Sequence, residues 1–324
     1  MSVVTLARHA MATRFEIVLH GDNPVALRAA GEEALEEIDH LEAQLSLFRP
    51  SSEIAHLNAR AAREPVRVTP PTFALLEHAR RLHEESGGAF DITIAPLVRC
   101  WGFIGGTAAI PRPETLAEAR ACVGMHLVEL RPADFTVRFA RPGVMLDLGA
   151  IGKGYAIERA VEFLREAGVT SALLHGGTST IYGLGHPPDS EAWDIALPNP
   201  ADPAAVPALP DDTPTSAQKF LKVSLKDASL SVSAVWGRCF EAEGKRFGHV
   251  IDPRTGEPTT NAVLAVVVLP SATETDALST ALLTLGLEGH DKIANLRPGM
   301  RTLVVTEGPG GYCARSKGIG DAAV

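Results

Sequence analysis

A tight turn, an apolar strand and a long helix follow one another near the C-terminus, and this succession most constrains what the 324-residue chain can fold into. The turn lies within FGHVIDPRTGEP, where Pro253 and Gly256 restrict the backbone geometry. The helix is predicted in SATETDALSTALLTLG, where Asp276 and Thr280 stand four residues apart and share one face. Oxygen atoms on one helix face suit a hard cation such as Mg²⁺. His249, beside the turn, has the chemistry to take or give a proton.

The same residues also have ordinary structural interpretations. The predicted helix has an apolar stripe made of Leu278, Ala281, Leu282 and Leu285. The polar side opposite such a stripe is ordinarily solvated surface, and a lone histidine is usually structural. Asp252 and Arg254 are expected to stabilise the turn and form an ion pair, because an aspartate readily folds back on its own backbone. The residue types alone therefore leave a functional site and a plain surface both open.

A glycine-rich turn between a predicted strand and a predicted helix is the second informative feature. Strand, helix and strand are predicted in VMLDLG, IGKGYAIERAVEFLREAG and TSALLH. A phosphate-binding P-loop would need glycine in place of Asp147 and Ser or Thr in place of Gly154, so that motif is excluded. The helix start still offers N–H groups to an anion, and Lys153 adds a positive charge. A solvated first-turn lysine fits the local sequence equally well.

Seven segments occur in a fixed order along the chain. They are MATRFEIVLHG, SLFRPSSEIAHLN, GGAFDITIAPLVRCWGF, LDLGAIGKGYAIERA, LLHGGTSTIYG, HVIDPRTGEP and TDALSTALLTLG. Together they resemble the ApbE family, the FAD:protein FMN transferases, from Met11 to about Gly286. The resemblance implies an α+β class with an ApbE-like fold, in which mixed sheets with flanking helices leave a cleft for FAD between two lobes.

The resembling segments also bear on domain organisation. We expect a single ApbE-like domain over residues 1–324. Residues 198–215, PNPADPAAVPALPDDTPT, predict an irregular surface insertion, because resembling segments lie on both sides of it. Residues 308–324 follow the predicted strand TLVVTE, and their glycine-rich start predicts a loosely held tail.

The resemblance implies catalytic roles for His249, Asp276 and Lys153. The family places Mg²⁺ on the positions of Asp276 and Thr280, with a main-chain carbonyl near Ala150 completing the protein ligands. Mn²⁺ is the alternative, because both ions favour octahedral oxygen sites. Lys153 would neutralise charge on a pyrophosphate, and His249 would act as a general base on an acceptor hydroxyl.

The resemblance further implies a flavin pocket, formed by Met11, Phe48, Ala89, Phe90, Asp91, Asp147, Lys153 and Val250. Without it, Met11 and Phe90 would be predicted as core residues and Asp91 as a helix cap. Phe48 stands where the family commonly has a tyrosine, and an aromatic face stacks on an isoalloxazine or adenine ring with or without the hydroxyl. A core phenylalanine is the alternative at this position.

Three further positions depart from the family pattern. Thr178 follows HisGlyGly, where Asn or Asp is usual, and Ala234 replaces the usual Gly after Ser233. The extra methyl stands where the backbone can approach a ligand, so the site roles of Ser233 and Ala234 are left open. His175 replaces a frequent Asn, and we expect it to act only through other residues.

The activity implied by the resemblance is transfer of FMN from FAD to a Thr or Ser hydroxyl of an acceptor flavoprotein, with release of AMP. If water replaces the hydroxyl, the protein is a Mg²⁺-dependent FAD pyrophosphatase that yields FMN and AMP. A third interpretation is a non-catalytic FAD-binding protein, suggested by Thr178 and Ala234. The presence of Asp276, Thr280 and His249 ranks that interpretation lowest.

Bulk properties limit the partners. The formal net charge of −9 and the pI near 5.7 argue against nucleic acid or anionic membranes as main partners. The 4 cysteines are widely spaced, without a zinc or disulfide pattern. No membrane-length apolar run or signal peptide is evident, which predicts a cytoplasmic protein. Many family members resemble exported lipoproteins, so a periplasmic location is the alternative if the N-terminus is truncated.

Overall fold

In the computed structural model, residues 1–197, 199–200, 221–309 and 311–320 are described. The helices are α1 (Pro24–Leu45), α2 (Glu53–Arg60), α3 (Pro70–Ser86), α4 (Ala95–Cys100), α5 (Pro113–Arg120), α6 (Gly152–Glu166) and α7 (Ala272–Ala294). The strands are β1 (Ser2–Ala10), β2 (Thr13–Gly21), β3 (Val66–Arg67), β4 (Val128–Arg131), β5 (Thr136–Phe139), β6 (Ala172–Gly176), β7 (Thr180–Leu184), β8 (Trp193–Leu197), β9 (Leu221–Leu225), β10 (Ala228–Ala234), β11 (Cys239–Ala242), β12 (Lys245–Gly248), β13 (Leu264–Leu269), β14 (Arg301–Gly308) and β15 (Gly311–Lys317).

An eight-stranded antiparallel sheet forms the centre of the molecule, in the order β1-β2-β6-β7-β10-β13-β14-β15. Smaller sheets join β3-β5-β4, β8-β9 and β11-β12. The central sheet takes strands from both ends of the chain, and helices are interspersed between its strands. This arrangement is the α+β class expected from the sequence.

Both faces of the central sheet are covered. One face packs against helices α1, α6 and α7, with the fully buried Ile38, Ile157 and Leu278 in that layer. The opposite face packs against the β8–β9 hairpin, which contributes Trp193 and Val223. Burial on both sides explains why β13, with the sequence LAVVVL, is apolar without alternation. Within the described residues, no helix combines the length and apolar character that a membrane span requires.

Residues 144–148 do not form the strand that the sequence predicts before α6. The amide side chain of Asn58 bonds both backbone groups of Leu146, accepting from its N–H at 2.7 Å and donating to its carbonyl at 2.9 Å. The N–H of Asp147 donates to the carbonyl of Ile92 at 2.7 Å. These partners satisfy the backbone in place of a neighbouring strand, so the strand prediction was wrong. The helix and the strand that follows it, α6 and β6, are confirmed.

The predicted loose tail is partly a paired strand. Gly311–Lys317 forms β15 and pairs with β14 from Thr302↔Lys317 to Gly308↔Gly311. Hydrogen bonds to an otherwise open sheet edge hold this segment, and the glycine-rich composition concealed that pairing. Residues 310 and 321–324 lie outside the described residues. The same is true of residues 198 and 201–215 of the predicted insertion.

Candidate functional site

Asp276 connects α7 to the first turn of α6. Its side chain is buried, and its Oδ2 accepts a hydrogen bond from the backbone N–H of Gly154 at 2.9 Å. Helix α6 has no side-chain cap of its own at Ile151, so a carboxylate from α7 supplies an acceptor that a helix start requires. A Cβ on Gly154 would overlap the carbonyl oxygen of Ala272 and lie 2.7 Å from the Cβ of Asp276. The two helices approach this closely only because residue 154 is glycine.

The N-terminus of α6 is less open to an anion than its glycines predict. The N–H of Gly152 donates to the carbonyl of Leu148 at 2.7 Å, and the N–H of Gly154 is taken by Asp276. The ammonium of Lys153 donates to the carbonyl of Gly149 at 3.1 Å and lies 3.9 Å from Asp276 Oδ1. The positive group available to a phosphate at this helix start is therefore the Lys153 side chain.

The turn before α6 carries a second carboxylate, that of Asp147. Its Oδ1 accepts a hydrogen bond from the N–H of Gly149 at 2.8 Å. Burial raises the pKa of Asp147, while this hydrogen bond and the charge of Lys153 oppose the shift. Ala150, whose carbonyl is a predicted metal ligand, is half-buried in the same turn. The turn and the start of α6 thus carry three predicted site residues, Asp147, Ala150 and Lys153.

Thr280 shares a face with Asp276, as the four-residue spacing predicts, and that face packs against β10. The Thr280 hydroxyl lies 3.3 Å from the backbone carbonyl oxygen of Asp276 and 3.3 Å from the hydroxyl of Ser233. The interpretation of this face as solvated surface is wrong, because Asp276 is only 5% exposed. No group of three or more His, Cys, Asp or Glu suited to a metal occurs in the described part of the chain. The predicted ligand set is of another kind, with one carboxylate, one hydroxyl and one carbonyl.

His249 directly follows β12 and is held in one orientation. Its backbone N–H and its Nδ1 lie 2.9 Å and 3.1 Å from the carbonyl oxygen of Arg238. Because a carbonyl only accepts, Nδ1 carries the proton and Nε2 has a free lone pair. Burial lowers the pKa of His249, and the charges of Arg238 and Lys153 lower it further, against the backbone hydrogen bond. The imidazole is therefore neutral near pH 7, as a general base must be.

The turn after His249 is stabilised as the sequence predicts. Asp252 Oδ1 accepts from the backbone N–H of Arg254 at 2.9 Å, and the Arg254 guanidinium binds both carboxylate oxygens, at 2.9 and 2.6 Å. The indole N–H of Trp101 donates to the carbonyl of Gly256 at 2.8 Å, which attaches the turn to the end of α4. Asp252 and Arg254 thus stabilise the turn by binding each other, and His249 is the candidate for proton transfer beside it.

The segment GGAFD is mostly buried. Asp91 Oδ1 accepts from the N–H and the hydroxyl of Thr93, at 2.7 and 2.6 Å, and its Oδ2 lies 3.2 Å from Nδ1 of His83. Burial lowers the pKa of His83, but the hydrogen bond and charge of Asp91 outweigh it and raise the pKa overall. Asp91 does not cap a helix, since α4 starts after Ile94, so the alternative interpretation of Asp91 as a helix cap is wrong. Ala89 and Phe90 are 1% and 2% exposed and belong to the core.

Phe48 is not a core residue, because 72% of it is exposed. Met11 and Ala12 form the two-residue turn between β1 and β2, with φ of 49° and 59°. Positive φ at both positions is typical of a type I′ hairpin turn, and it is unfavourable for residues other than glycine. Met11 is half-buried against the core, and the carbonyl of half-buried Val250 accepts from the N–H of Thr259 at 2.9 Å.

A row of buried hydroxyls beside Asp276 was missed by the sequence reasoning. Thr180 of β7, Ser229 and Ser231 of β10, and Thr275 of α7 are fully buried. The Thr180 hydroxyl donates to Asp276 Oδ1 at 3.3 Å. The signal is visible in β10, where ASLSVSA places serines at every second position and so on one face.

The positions that depart from the family pattern lie at strand ends. His175, the fourth residue of β6, is buried, and its Nδ1 lies 3.0 Å from the carbonyl oxygen of Gly177. Burial lowers the pKa of His175. Thr178 is exposed in the turn between β6 and β7, and Ala234 is the last residue of β10. Within the described residues, no hydrogen bond joins His175 to Asp276 or His249, and its indirect role stays a prediction.

Comparison with known proteins identifies the family. A model of the ApbE family matches residues 11–304. The FAD:protein FMN transferase of Treponema pallidum is 33% identical over 309 residues, covering 91% of this chain and 82% of that protein. The FAD:protein FMN transferase of Vibrio cholerae is 30% identical, covering 78% and 72%. The crystal structure of the ApbE protein from Thermotoga maritima superposes with a TM-score of 0.84 at 26% identity, covering 98% and 97%. The predicted family and fold are thereby confirmed, and the chain belongs to the ApbE family.

Proposed function

We propose that this protein transfers FMN from FAD to a Thr or Ser hydroxyl of an acceptor flavoprotein and releases AMP. The observation that carries the proposal is the position of Lys153. Its ammonium lies 3.9 Å from Asp276 Oδ1, and its positive charge contributes to the lowered pKa of His249, which supports a site that uses the carboxylate, the ammonium and the imidazole together. The relatives named FAD:protein FMN transferase support the same reaction.

The residues around Asp276 fit a hard divalent cation. The ligand atoms offered by Asp276, Thr280 and the Ala150 carbonyl are all oxygens. Oδ1 of the buried Asp276 carboxylate already attracts the ammonium of Lys153, at 3.9 Å. We propose that Asp276, Thr280 and the Ala150 carbonyl would hold Mg²⁺, with Mn²⁺ as the alternative. When bound, the metal would neutralise charge on the phosphate oxygens of FAD.

The remaining chemistry belongs to the side chains of the protein. His249 Nε2 takes the proton of the acceptor hydroxyl, whose oxygen attacks the phosphorus of the FMN half of FAD. The bond from that phosphorus to the bridging oxygen breaks, and AMP leaves with the bridging oxygen. Lys153 balances the negative charge of the pyrophosphate throughout. Holding FAD and the acceptor together supplies the orientation that the displacement requires.

For the flavin, we propose a pocket that includes Met11, Phe48, Ala89, Phe90, Asp91, Asp147, Lys153 and Val250, in a cleft of one ApbE-like domain. The exposure of Phe48 supports a ring that stacks on a ligand, since an apolar ring left in water gains from being covered. The buried residues Ala89, Phe90 and Asp91 would act mainly by shaping the backbone beneath the ring system.

The experiment that tests the function measures AMP release from FAD and Mg²⁺ with and without a candidate acceptor. Release that depends on the acceptor supports transfer. Equal release without an acceptor would make the protein an FAD pyrophosphatase. Tight FAD binding without AMP release would make it a flavin-binding protein.

A further inference from the structure

The cluster of hydroxyls between the central sheet and α7 has no part in the function proposed above. Thr180, Ser229, Ser231, Thr275 and Ser279 are all 0% exposed. A buried hydroxyl without a partner is costly, so each of these groups must find its partner inside the protein. Such a network is directional, because each hydroxyl has a single proton to donate.

The direction of the network can be followed from bond to bond. Thr275 donates to the carbonyl of Ala272 in its own helix, at 3.0 Å. The Ser231 hydroxyl lies 2.8 Å from that of Thr275 and 3.1 Å from that of Thr180, and its single proton is donated to one of these two oxygens. Thr180 in turn lies 3.3 Å from Asp276 Oδ1, and a carboxylate only accepts. The proton of Thr180 is therefore directed at Asp276, and the chain of bonds ends there.

The Asp276 carboxylate is thus held by two donors on two different elements. Oδ2 is bound by the N–H of Gly154 at the start of α6, at 2.9 Å. Oδ1 is bound by Thr180 at the start of β7, and it is the oxygen that lies nearer Lys153, at 3.9 Å. With one donor on each oxygen, rotation of the carboxylate about its terminal torsion is restricted.

We propose that Thr180 is a positioning residue that aims Asp276 Oδ1 at the bound cation. This inference rests on the proposed function, in which Asp276 is a metal ligand. Thr180 need not touch FAD, the acceptor or the metal. Its effect is to keep the ligand oxygen in place before the cation arrives, as donors behind metal ligands commonly do.

The test titrates the protein with Mn²⁺ alone, and follows the free ion by electron paramagnetic resonance. Thr180→Val keeps the shape of the side chain and removes the donor, so we expect Mn²⁺ affinity to fall by about tenfold. Thr180→Ser restores the hydroxyl and should restore binding. Ser229→Ala is the matched control, because Ser229 bonds the carbonyl of Ile181 and approaches Thr275 without reaching Asp276. It should bind Mn²⁺ as the parent does.

Parent-like Mn²⁺ affinity in Thr180→Val, or an equal loss in Ser229→Ala, would overturn the positioning role while leaving the metal site intact. If Thr180→Val does not fold, Thr180→Ala carries the test, because it also removes the donor; a similar loss of affinity is expected, and parent-like affinity is the contrary result. Asp276→Asn separates this failure from that of the proposed function. If Asp276→Asn and the parent bind Mn²⁺ equally, the metal assignment itself fails, and Thr180 loses its role with it.

Discussion

At the scale of single residues, Asp276 combines a structural and a proposed chemical role. Its carboxylate is 5% exposed, and a buried charge is tolerated only where donors and opposite charges surround it. The donors are Gly154 and Thr180, and the ammonium of Lys153 lies 3.9 Å from Oδ1. The ammonium is too far for a direct hydrogen bond. The site therefore suits a second cation closer to Oδ1.

The two roles of Asp276 are separable by substitution. Asp276→Ala leaves the Gly154 N–H without its acceptor and should lower the free energy of unfolding by about 1–3 kcal/mol. Asp276→Asn retains an oxygen acceptor and should unfold nearly as the parent does. Both variants should lose metal-dependent AMP release far more than FAD affinity. Unchanged AMP release by Asp276→Asn at saturating FAD and Mg²⁺ would remove the metal assignment.

His249 is predicted to set the acid limb of the pH profile. The base must be neutral, and its pKa is lowered below 6.5 by burial, with help from Arg238 and Lys153. Activity should therefore persist below pH 6.5 and fall only as pH passes below the lowered pKa. Arg238→Gln keeps the backbone carbonyl that orients the ring but removes a positive charge, so the acid limb of kcat/KM should move up towards pH 6.5.

His249→Ala should reduce transfer by about two to four orders of magnitude while FAD binding survives. Calorimetry with FAD and single-turnover assays measure the two quantities separately. Loss of FAD binding with normal residual chemistry would place His249 in the pocket wall instead.

Phe48 is expected to affect ligand binding and not stability. Because it is 72% exposed, Phe48→Ala should leave the melting temperature of the FAD-free protein almost unchanged. The loss of stacking should weaken FAD binding by about 1–3 kcal/mol, by analogy with bases on aromatic side chains. Phe48→Tyr is the matched control and should bind FAD as the parent does. FAD affinity that is unaffected by Phe48→Ala would assign the ring contact to another residue.

At the scale of elements, the close approach of α6 and α7 assembles the site. Gly154 permits this approach, and Gly154→Ala should therefore destabilise the protein by about 1–3 kcal/mol through overpacking. Gly152→Ala is the control two residues away, since its Cβ would meet nothing nearer than Leu148 Cβ at 3.8 Å. Thermal melts compare the two variants directly. Equal stability of both would show that α6 and α7 can separate without cost.

Helix α7 is also attached to α3 through Glu274, which accepts hydrogen bonds from His78, Arg81 and Arg297. Burial opposes ionisation of Glu274, but hydrogen bonds from His78 and Arg297 lower its pKa from 4.5 to about 2. A carboxyl with a depressed pKa stabilises the folded state above its unfolded pKa. That stabilisation is lost as pH falls through the folded value.

Glu274→Gln should therefore unfold more easily than the parent at pH 7, by on the order of 3 kcal/mol. The difference should shrink as pH falls from about 4.5 towards about 2. Chemical denaturation at several pH values measures it. A difference that is independent of pH would show that the ion pairs do not contribute.

Many of the helix boundaries could be predicted from hydrophobic periodicity and from capping residues. Apolar residues at near-helical spacing predict a long helix from Val25 to Leu47, which is found at Pro24–Leu45 with Asn23 capping its start. Two prolines at the start and Gly87 at the end predict a helix from Pro71 to Glu85, which is found at Pro70–Ser86 and ends at Gly87 with φ of 69°. The strand predicted before α6 failed because a distant side chain, Asn58, replaces its strand partner. Local sequence carries no information about such a partner.

At the scale of the whole molecule, one antiparallel sheet with both faces covered supports the site on its helical side. The order of the segments along the chain indicated the family, and through it Asp276 and Lys153 were expected in one catalytic site although 123 positions separate them. The hydroxyl network behind Asp276 was not expected. It depends on the register of β7 with β10, Thr180 opposite Ser231, which is a tertiary feature.

The measurement that tests the central claim most directly is intact-mass analysis of an acceptor protein after incubation with this enzyme, FAD and Mg²⁺. Our account predicts a mass increase that corresponds to one FMN moiety, located on a Thr or Ser, with one AMP released for each adduct. An acceptor with that residue changed to Ala, and the enzyme variant Asp276→Asn, should both show no adduct. AMP released at the same rate whether or not the acceptor is present, with no change in acceptor mass, would contradict the account.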